Sequence, residues 1–434
     1  MPVTRSSAPI RAVYSFLIAL ALSASSESSL ALDLSEALRR ALASDPRLAA
    51  GEIEVQAAQG GVIQAAKRPN PELSVEVEDF LGSGDYRNFD KATVTVSVGQ
   101  KFERGDKRGA RIAAAQGKED VAAAEIAVTV REIIAQTKID YIQVLGGQQR
   151  VDLLGRAIKR FEDLVPLLRR RVEAGASPLA DVARGELAAA RARVAAEKAR
   201  AELQAAKRQL VANWSGPIRD ASVVSGRLRH NGHQPAALQV FLSVLDDHPA
   251  IRAWSAVFAQ RAGELRLQRA TAVPDLTASG GVKRLFETDD VAFRIVGAFP
   301  LPIHDRNEGG IQEAERRLAK VEHEREAARR QLKRRIIEAF GEFEAACVEA
   351  RLLADNVMPT ARRATENVQS SFDQGRIGVK DLLDAHRDQY DTEVQQLDAD
   401  IRCHAAAAKV ETFATNIKPF QHGWDTVTRR PSSE

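Results

Sequence analysis

The sequence holds 434 residues, with 62 Lys and Arg against 59 Asp and Glu, a formal charge of +3, 44% apolar and 5% aromatic residues. That length exceeds one ordinary single-core domain and leaves two domains or one elongated architecture. Near-balanced charge without a long basic run argues against a nucleic-acid binder, and two Cys outside any Cys-x-x-Cys pair exclude a disulfide framework and a structural zinc site.

The chain begins with an address. Arg5 and Arg11 precede an apolar stretch at 12–24, and small residues lead on to Ala31, the order of a secretory signal, 1–31, cleaved after Ala31. An uncleaved anchor is the other reading, although the stretch falls below the ~18 residues of a spanning helix. No Cys near that site offers a lipid anchor, and no later run is long enough for a transmembrane helix. A mature chain that crosses a membrane therefore does so as β-strands.

The first repeat, 32–225, reads helix, strand, strand, very long helix, tight turn, helix. Strands are expected at about 72–80 and 92–102, where Leu73, Val75 and Val77 alternate with Glu72, Ser74, Glu76 and Glu78, and Val94, Val96 and Val98 with Thr93, Thr95 and Ser97. From about 106 to 171, Ile126, Val130, Ile134, Tyr141 and Leu145 recur at helical spacing, and abundant Ala favours such a helix. Unbroken, it would reach roughly 100 Å. Gly175-Ala176-Ser177-Pro178 supplies turn chemistry before the next helix.

The second repeat, 226–417, follows the same plan and is succeeded by a tail, 418–434. Asp45-Pro46-Arg47-Leu48 has a counterpart in His248-Pro249-Ala250-Ile251, and Asn70-Pro71-Glu72-Leu73 in Val273-Pro274-Asp275-Leu276; 249 − 46 and 274 − 71 both give 203. Glu173-Ala174-Gly175 with Asp181-Val182 matches Asp373-Gln374-Gly375 with Asp381-Leu382 at an offset of 200, a small indel accounting for the drift. Strands are expected at about 275–284 and 290–299. There Leu276, Ala278 and Val282 alternate with Thr277, Ser279 and Lys283, and Val291, Phe293, Ile295 and Phe299 interleave with Ala292, Arg294 and Val296. A second long helix, from about 305 to 371 and kinked at Pro359, precedes the turn Gly375-Arg376-Ile377-Gly378.

Two bland readings stay open at this level: a periplasmic coiled-coil scaffold, and a soluble half-buried sheet. Each strand run has about the length of a tilted transmembrane strand. Four strands cannot close a barrel, because bacterial barrels need at least about eight and an open edge in lipid leaves unpaired backbone groups at several kcal/mol each. A membrane reading therefore requires several chains to share one barrel, with helices continuing it into the periplasm.

The duplication and the two turn segments, Glu173-Ala174-Gly175 through Asp181-Val182 and Asp373-Gln374-Gly375 through Asp381-Leu382-Leu383-Asp384-Ala385, resemble the TolC-like outer-membrane efflux channels across essentially the whole mature chain. Asn70-Pro71-Glu72-Leu73, Gly105-Asp106-Lys107-Arg108-Gly109 and Leu301-Pro302-Ile303-His304-Asp305-Arg306-Asn307 resemble the heavy-metal, CzcC-like branch. The resemblance implies a mainly α fold with a small β part: a homotrimer whose 3 × 4 strands form a twelve-stranded barrel in the lipid of a Gram-negative outer membrane. It also implies a periplasmic α-helical barrel meeting a periplasmic adaptor and an inner-membrane RND pump. Such a channel is no enzyme, needs no cofactor and carries no nucleic acid. Cargo stays open between heavy-metal cations, drugs and secreted proteins, because the adjoining pump selects it.

Carried over residue by residue, the resemblance places Asp381 and Asp384 in acidic rings at the periplasmic gate, an i, i+3 pair on one helix face. Phe372 and Ile377 stand where a tyrosine and an arginine help lock the closed gate, which implies a different seal here. Gly175, Leu179, Val182, Gly375, Val379 and Leu382 fall on the turns used for adaptor docking, the alternative being that the apolar ones pack the hairpins. Cys347 and Cys403 each lie 28 residues from Gly375 (375 − 347 and 403 − 375), hence at matching heights on antiparallel helices. An exported protein can oxidise such a pair into a disulfide, but spacing does not orient side chains, and free buried thiols are the expectation. His230 and His233, between the repeats, are expected to be solvated turn residues and no metal site.

Overall fold

A computed structural model describes residues 31–228 and 237–413. The signal segment through residue 30, His230, His233 and the tail 418–434 lie outside the described residues. The first repeat runs α1 (Leu34–Ser44), α2 (Pro46–Ala65), β1 (Glu72–Glu78), β2 (Thr93–Phe102), α3 (Lys107–Glu173) and α4 (Leu179–Ala212). The second runs α5 (Leu238–Ser243), α6 (Pro249–Thr271), β3 (Leu276–Leu285), β4 (Asp290–Ala298), α7 (Glu308–Leu352), α8 (Met358–Asp373) and α9 (Val379–Glu411).

The repeated dipeptides have a local cause. Asp45 caps α2 by accepting from the Arg47 N–H at 2.8 Å, and His248 caps α6 through Nδ1, accepting from the Ala250 N–H at 3.2 Å. Pro46 and Pro249 then begin their helices, where the missing N–H has no intrahelical partner to lose. The turns repeat as closely. Gly175 at φ +69 and Gly375 at φ +71 end α3 and α8 in the left-handed region. In each, the next residue's N–H reaches five residues back, Ala176 to Arg171 at 2.8 Å and Arg376 to Ser371 at 2.9 Å, which closes a Schellman motif.

Helix α3 is 67 residues long, about 100 Å at 1.5 Å per residue, and holds Pro166 within it. The second long helix is not simply kinked at Pro359. A π-helical turn, Leu353–Val357, separates α7 from α8, and Pro359 occupies the first turn of α8. Proline takes no part as a donor and crowds the carbonyl four residues back, so the wider turn absorbs it without breaking the rod. Strand β1 also stops two residues short of expectation, because Asp79 and Leu81 adopt positive φ and turn the chain out of the sheet.

The four strands form one antiparallel sheet in the order β1-β2-β3-β4. Apolar packing concentrates elsewhere, in clusters along the helices. One surrounds Tyr141, whose hydroxyl donates to the Ser225 carbonyl at 2.6 Å and ties α3 to the segment joining the repeats. A second, around Phe343 and Ile336, contains Cys347. A third lies at the tip, around Leu168 and Phe372. Among the described residues no helix is long and apolar enough to cross a membrane. The free-thiol expectation is corrected: Cys347 on α7 and Cys403 on α9 are bonded to one another. Spacing had set their heights, and helix packing brings their Cα atoms within 4.8 Å.

Candidate functional site

The sheet's register sorts its side chains into two faces. Val75 opposes Val96, Val96 opposes Val282, and Val282 opposes Phe293, so one apolar row crosses all four strands. One residue along, Glu76, Thr95, Lys283 and Ala292 form the neighbouring row on the other face. Burial is inverted relative to a water-soluble sheet. Phe293 is 87% and Ile295 89% exposed, whereas Thr95 on the polar face is 1% exposed. A soluble sheet hides its apolar face on the core; this one presents it outward.

The polar face is concave. Arg294 on β4 donates to Glu76 on β1 at 2.7 Å although β2 and β3 lie between them. Three strand spacings of ~4.8 Å put flat backbones ~14 Å apart, at the limit of both side chains, so the sheet curls toward them. Gly281 permits the curl: a Cβ there would meet the Val96 carbonyl oxygen at 2.4 Å and Ser97 Cβ at 2.6 Å. Aromatic residues bracket the apolar face. Tyr86, Phe89 and Phe286 lie exposed at the loop end, and Phe102 and Phe299 at the helix end. Ten strand residues at ~3.4 Å, tilted by ~45°, give a band of ~24 Å, close to the ~25 Å of an outer-membrane apolar belt.

The opposite end of the molecule is the tip, where α3, α4, α8 and α9 share one apolar cluster. Asp381 and Asp384 are both exposed on α9, as their spacing suggested, but their surroundings differ. Asp384 pairs with Lys380 at 3.4 Å and borders a groove of about 380 Å³ between α4 and α9, whose walls also carry Arg184, Arg191 and Arg387. Its charge is locally offset. At an offset of 200, Asp381 and Asp384 correspond to Asp181 and Arg184, where the exposed Arg184 pairs with the buried Asp181 at 3.0 Å. The two turns thus differ, one carrying an acid–base pair and the other two acids.

The docking residues divide. Leu179 is 74% exposed, and nothing crowds the open faces of Gly175 and Gly375. Val182, Val379 and Leu382 are buried in the tip cluster, so the docking assignment is corrected for those three: they pack the hairpins. Phe372 is fully buried, and Ile377 packs partly buried against the same cluster. Sequence reading missed Arg171, whose guanidinium carbon lies 4.4 Å from the Phe372 ring centroid. It also missed the pairs Asp181–Arg184 and Arg294–Glu76. Laying the repeats over one another at offset 200 would have exposed Arg184 beneath Asp384; no local signal marks the other two. Among the described residues no group of three or more His, Cys, Asp or Glu is placed to hold a metal ion.

Residues 37–216 and 242–414 match the family described as outer membrane efflux protein. The cobalt-zinc-cadmium resistance protein CzcC of Cupriavidus metallidurans is 30% identical over 380 residues, covering 88% of this chain and 89% of that one. The nickel and cobalt resistance protein CnrC of the same organism is 28% identical over 65% of this chain and 66% of its own. Among solved structures, the open state of the Neisseria gonorrhoeae MtrE outer membrane channel superposes with a TM-score of 0.71 at 18% identity, covering 90% of this chain and 93% of that one.

Proposed function

The chain belongs to the outer membrane efflux protein family, and on that premise we propose that three copies form the outer-membrane exit channel of a tripartite RND-type system that expels heavy-metal cations. The observation that carries this reading is the inverted sheet. An outward apolar face framed by aromatics, with a concave polar face behind it, suits lipid on one side and water on the other. Strand directions alternate from β1 to β4, so β4 of one copy can pair antiparallel with β1 of the next, and three sheets close twelve strands without an edge.

Below the membrane, the hairpins α3–α4 and α7–α9 continue as a periplasmic tunnel. The exposed turn at Gly175 and Leu179, with its counterpart at Gly375, meets the adaptor, and the adaptor meets the pump. The channel supplies passage and no energy. The resistance phenotypes in the names of CzcC and CnrC support divalent cobalt, nickel, zinc or cadmium as cargo. Heat-modifiable trimers in outer-membrane fractions, conductance in planar bilayers and sensitivity of a deletion strain to these metals test the proposal. A monomer silent in bilayers would overturn it, and sensitivity to drugs or loss of a secreted protein in place of metal sensitivity would reassign the cargo.

A further inference from the structure

We propose that the helix end of the sheet is a docking surface for the anionic glycerophospholipid headgroups of the periplasmic leaflet, with Arg104 as its central contact. The inference rests on the membrane reading of the sheet. Charge is divided between the two ends of the strands. At the loop end, segments 78–91 and 284–290 hold seven acidic and three basic residues, a deficit of four. At the helix end, segments 66–71, 100–111, 272–275 and 299–306 hold eight basic and four acidic residues, a surplus of four. The apolar band thus separates a negative rim from a positive one. Basic residues beside a bilayer attract anionic lipids within about a Debye length.

The surplus is not consumed within the chain. Asp275 accepts from Lys107 at 2.6 Å and pairs with Lys101 at 3.1 Å, and Arg111 binds Glu103 through two hydrogen bonds. Arg68, Arg104, Arg108 and Arg306 are exposed and have no acidic partner among the described residues. Arg104 is also aimed. It follows Phe102 in the outward series of β2, and its guanidinium carbon lies 5.6 Å from the Phe299 ring centroid. Its backbone N–H donates to Asp275 at 3.1 Å, which fixes the chain there. Stacked on a ring, a guanidinium keeps its in-plane N–H groups for a phosphodiester, which accepts them in pairs. Arg306 is tethered between β4 and α7 by Nε, which donates to the Pro302 carbonyl oxygen at 3.2 Å. The same segment leaves Leu301 69% and Ile303 66% exposed. Cations interleaved with bare apolar side chains match a lipid, headgroup and acyl chain together, whereas a free anion would use the cations alone.

The test uses the full mature protein, assembled in detergent for native mass spectrometry and inserted into phosphatidylcholine vesicles with or without one third phosphatidylglycerol of the same acyl chains. Wild type is expected to retain phosphatidylglycerol about tenfold in preference to phosphatidylcholine. Arg104→Gln is expected to cut that preference about fivefold. Arg68→Gln combined with Arg306→Gln lowers it as well, and Arg87→Gln, at the loop end, leaves it unchanged. Should Arg104→Gln fail to assemble, Arg104→Lys decides the matter: it keeps the charge, loses the stacked fork and is expected to lower the preference about twofold. Equal retention of the two lipids by wild type overturns the proposal. So does an Arg87→Gln loss as large as that at Arg104, or an undiminished preference in whichever Arg104 variant assembles. Displacement of phosphatidylglycerol by millimolar inorganic phosphate would mark a free-anion site and overturn it too. A wild-type protein that enters vesicles of neither composition removes the membrane reading itself.

Discussion

Cys347 on α7 and Cys403 on α9 are bonded across the second hairpin, 56 residues apart in sequence and 4.8 Å apart between Cα atoms. Closing a loop of that length removes about 4 kcal/mol of unfolded-state entropy in the chain-entropy account. Peptide mapping of the mature protein without reductant is expected to recover the two cysteines on one linked pair. Cys347→Ser with Cys403→Ser should lower the melting temperature markedly. Two free thiols in the exported protein would end this account.

Gly375 sits at φ +71 with open space around it, so what forbids a side chain is backbone conformation and not crowding. Gly375→Val is expected to cost about 1–2 kcal/mol at the tip. The change should appear as faster proteolysis at the turn, with the sheet unaffected. Equal proteolysis in both proteins would show that the turn tolerates a β-branched residue.

Asp400 is buried on α9, where the Gln396 side-chain amide donates to it at 3.1 Å. Burial pushes its carboxyl up to about 6 from an ordinary 3.8. The folded state thus keeps a proton that the unfolded chain has already released. Stability is fullest below pH ~4, falls as pH rises through ~6, and is level above that. Asp400→Asn removes the ionisation and should stabilise by about 1–2 kcal/mol at pH 7.5, with little change at pH 4. Denaturant melts at both pH values check this, and the same gain at both would contradict it.

Ile295 and Phe293 face outward on β4. If that face meets lipid, Ile295→Arg should cost about 2–4 kcal/mol per copy near the bilayer midplane and abolish the heat-modifiable trimer. Glu76→Gln, on the concave face, should leave the trimer in place. Trimers surviving Ile295→Arg would argue that this surface never enters lipid.

If Asp381 and Asp384 line the periplasmic gate, they should not contribute equally. Asp384 is offset by Lys380 at 3.4 Å and by the arginines of the adjoining groove, so its field is weaker than that of Asp381. Asp381→Ala is expected to relieve divalent-cation block of single channels several-fold more than Asp384→Ala. Equal effects, or none, would remove the acidic ring as a filter.

Much of the architecture is legible in residue order because its causes are local. Alternation with period two located the strands of an antiparallel sheet, helical spacing located α3, and the repeated Asp45-Pro46 and His248-Pro249 are caps that act within three residues. The turns at Gly175 and Gly375 are equally local. The Arg171–Phe372 contact, the Arg294–Glu76 bridge and the burial of Val182, Val379 and Leu382 are not, because each depends on which helix or strand lies alongside.

Sequence alone therefore determined a duplicated, mostly helical chain with four amphipathic strands, since periodicity, capping and turn chemistry act over a few residues. Tertiary structure alone decided which way the sheet curls and that two distant cysteines meet. Those outcomes depend on distances between segments 50 to 220 positions apart, which spacing in one chain does not encode.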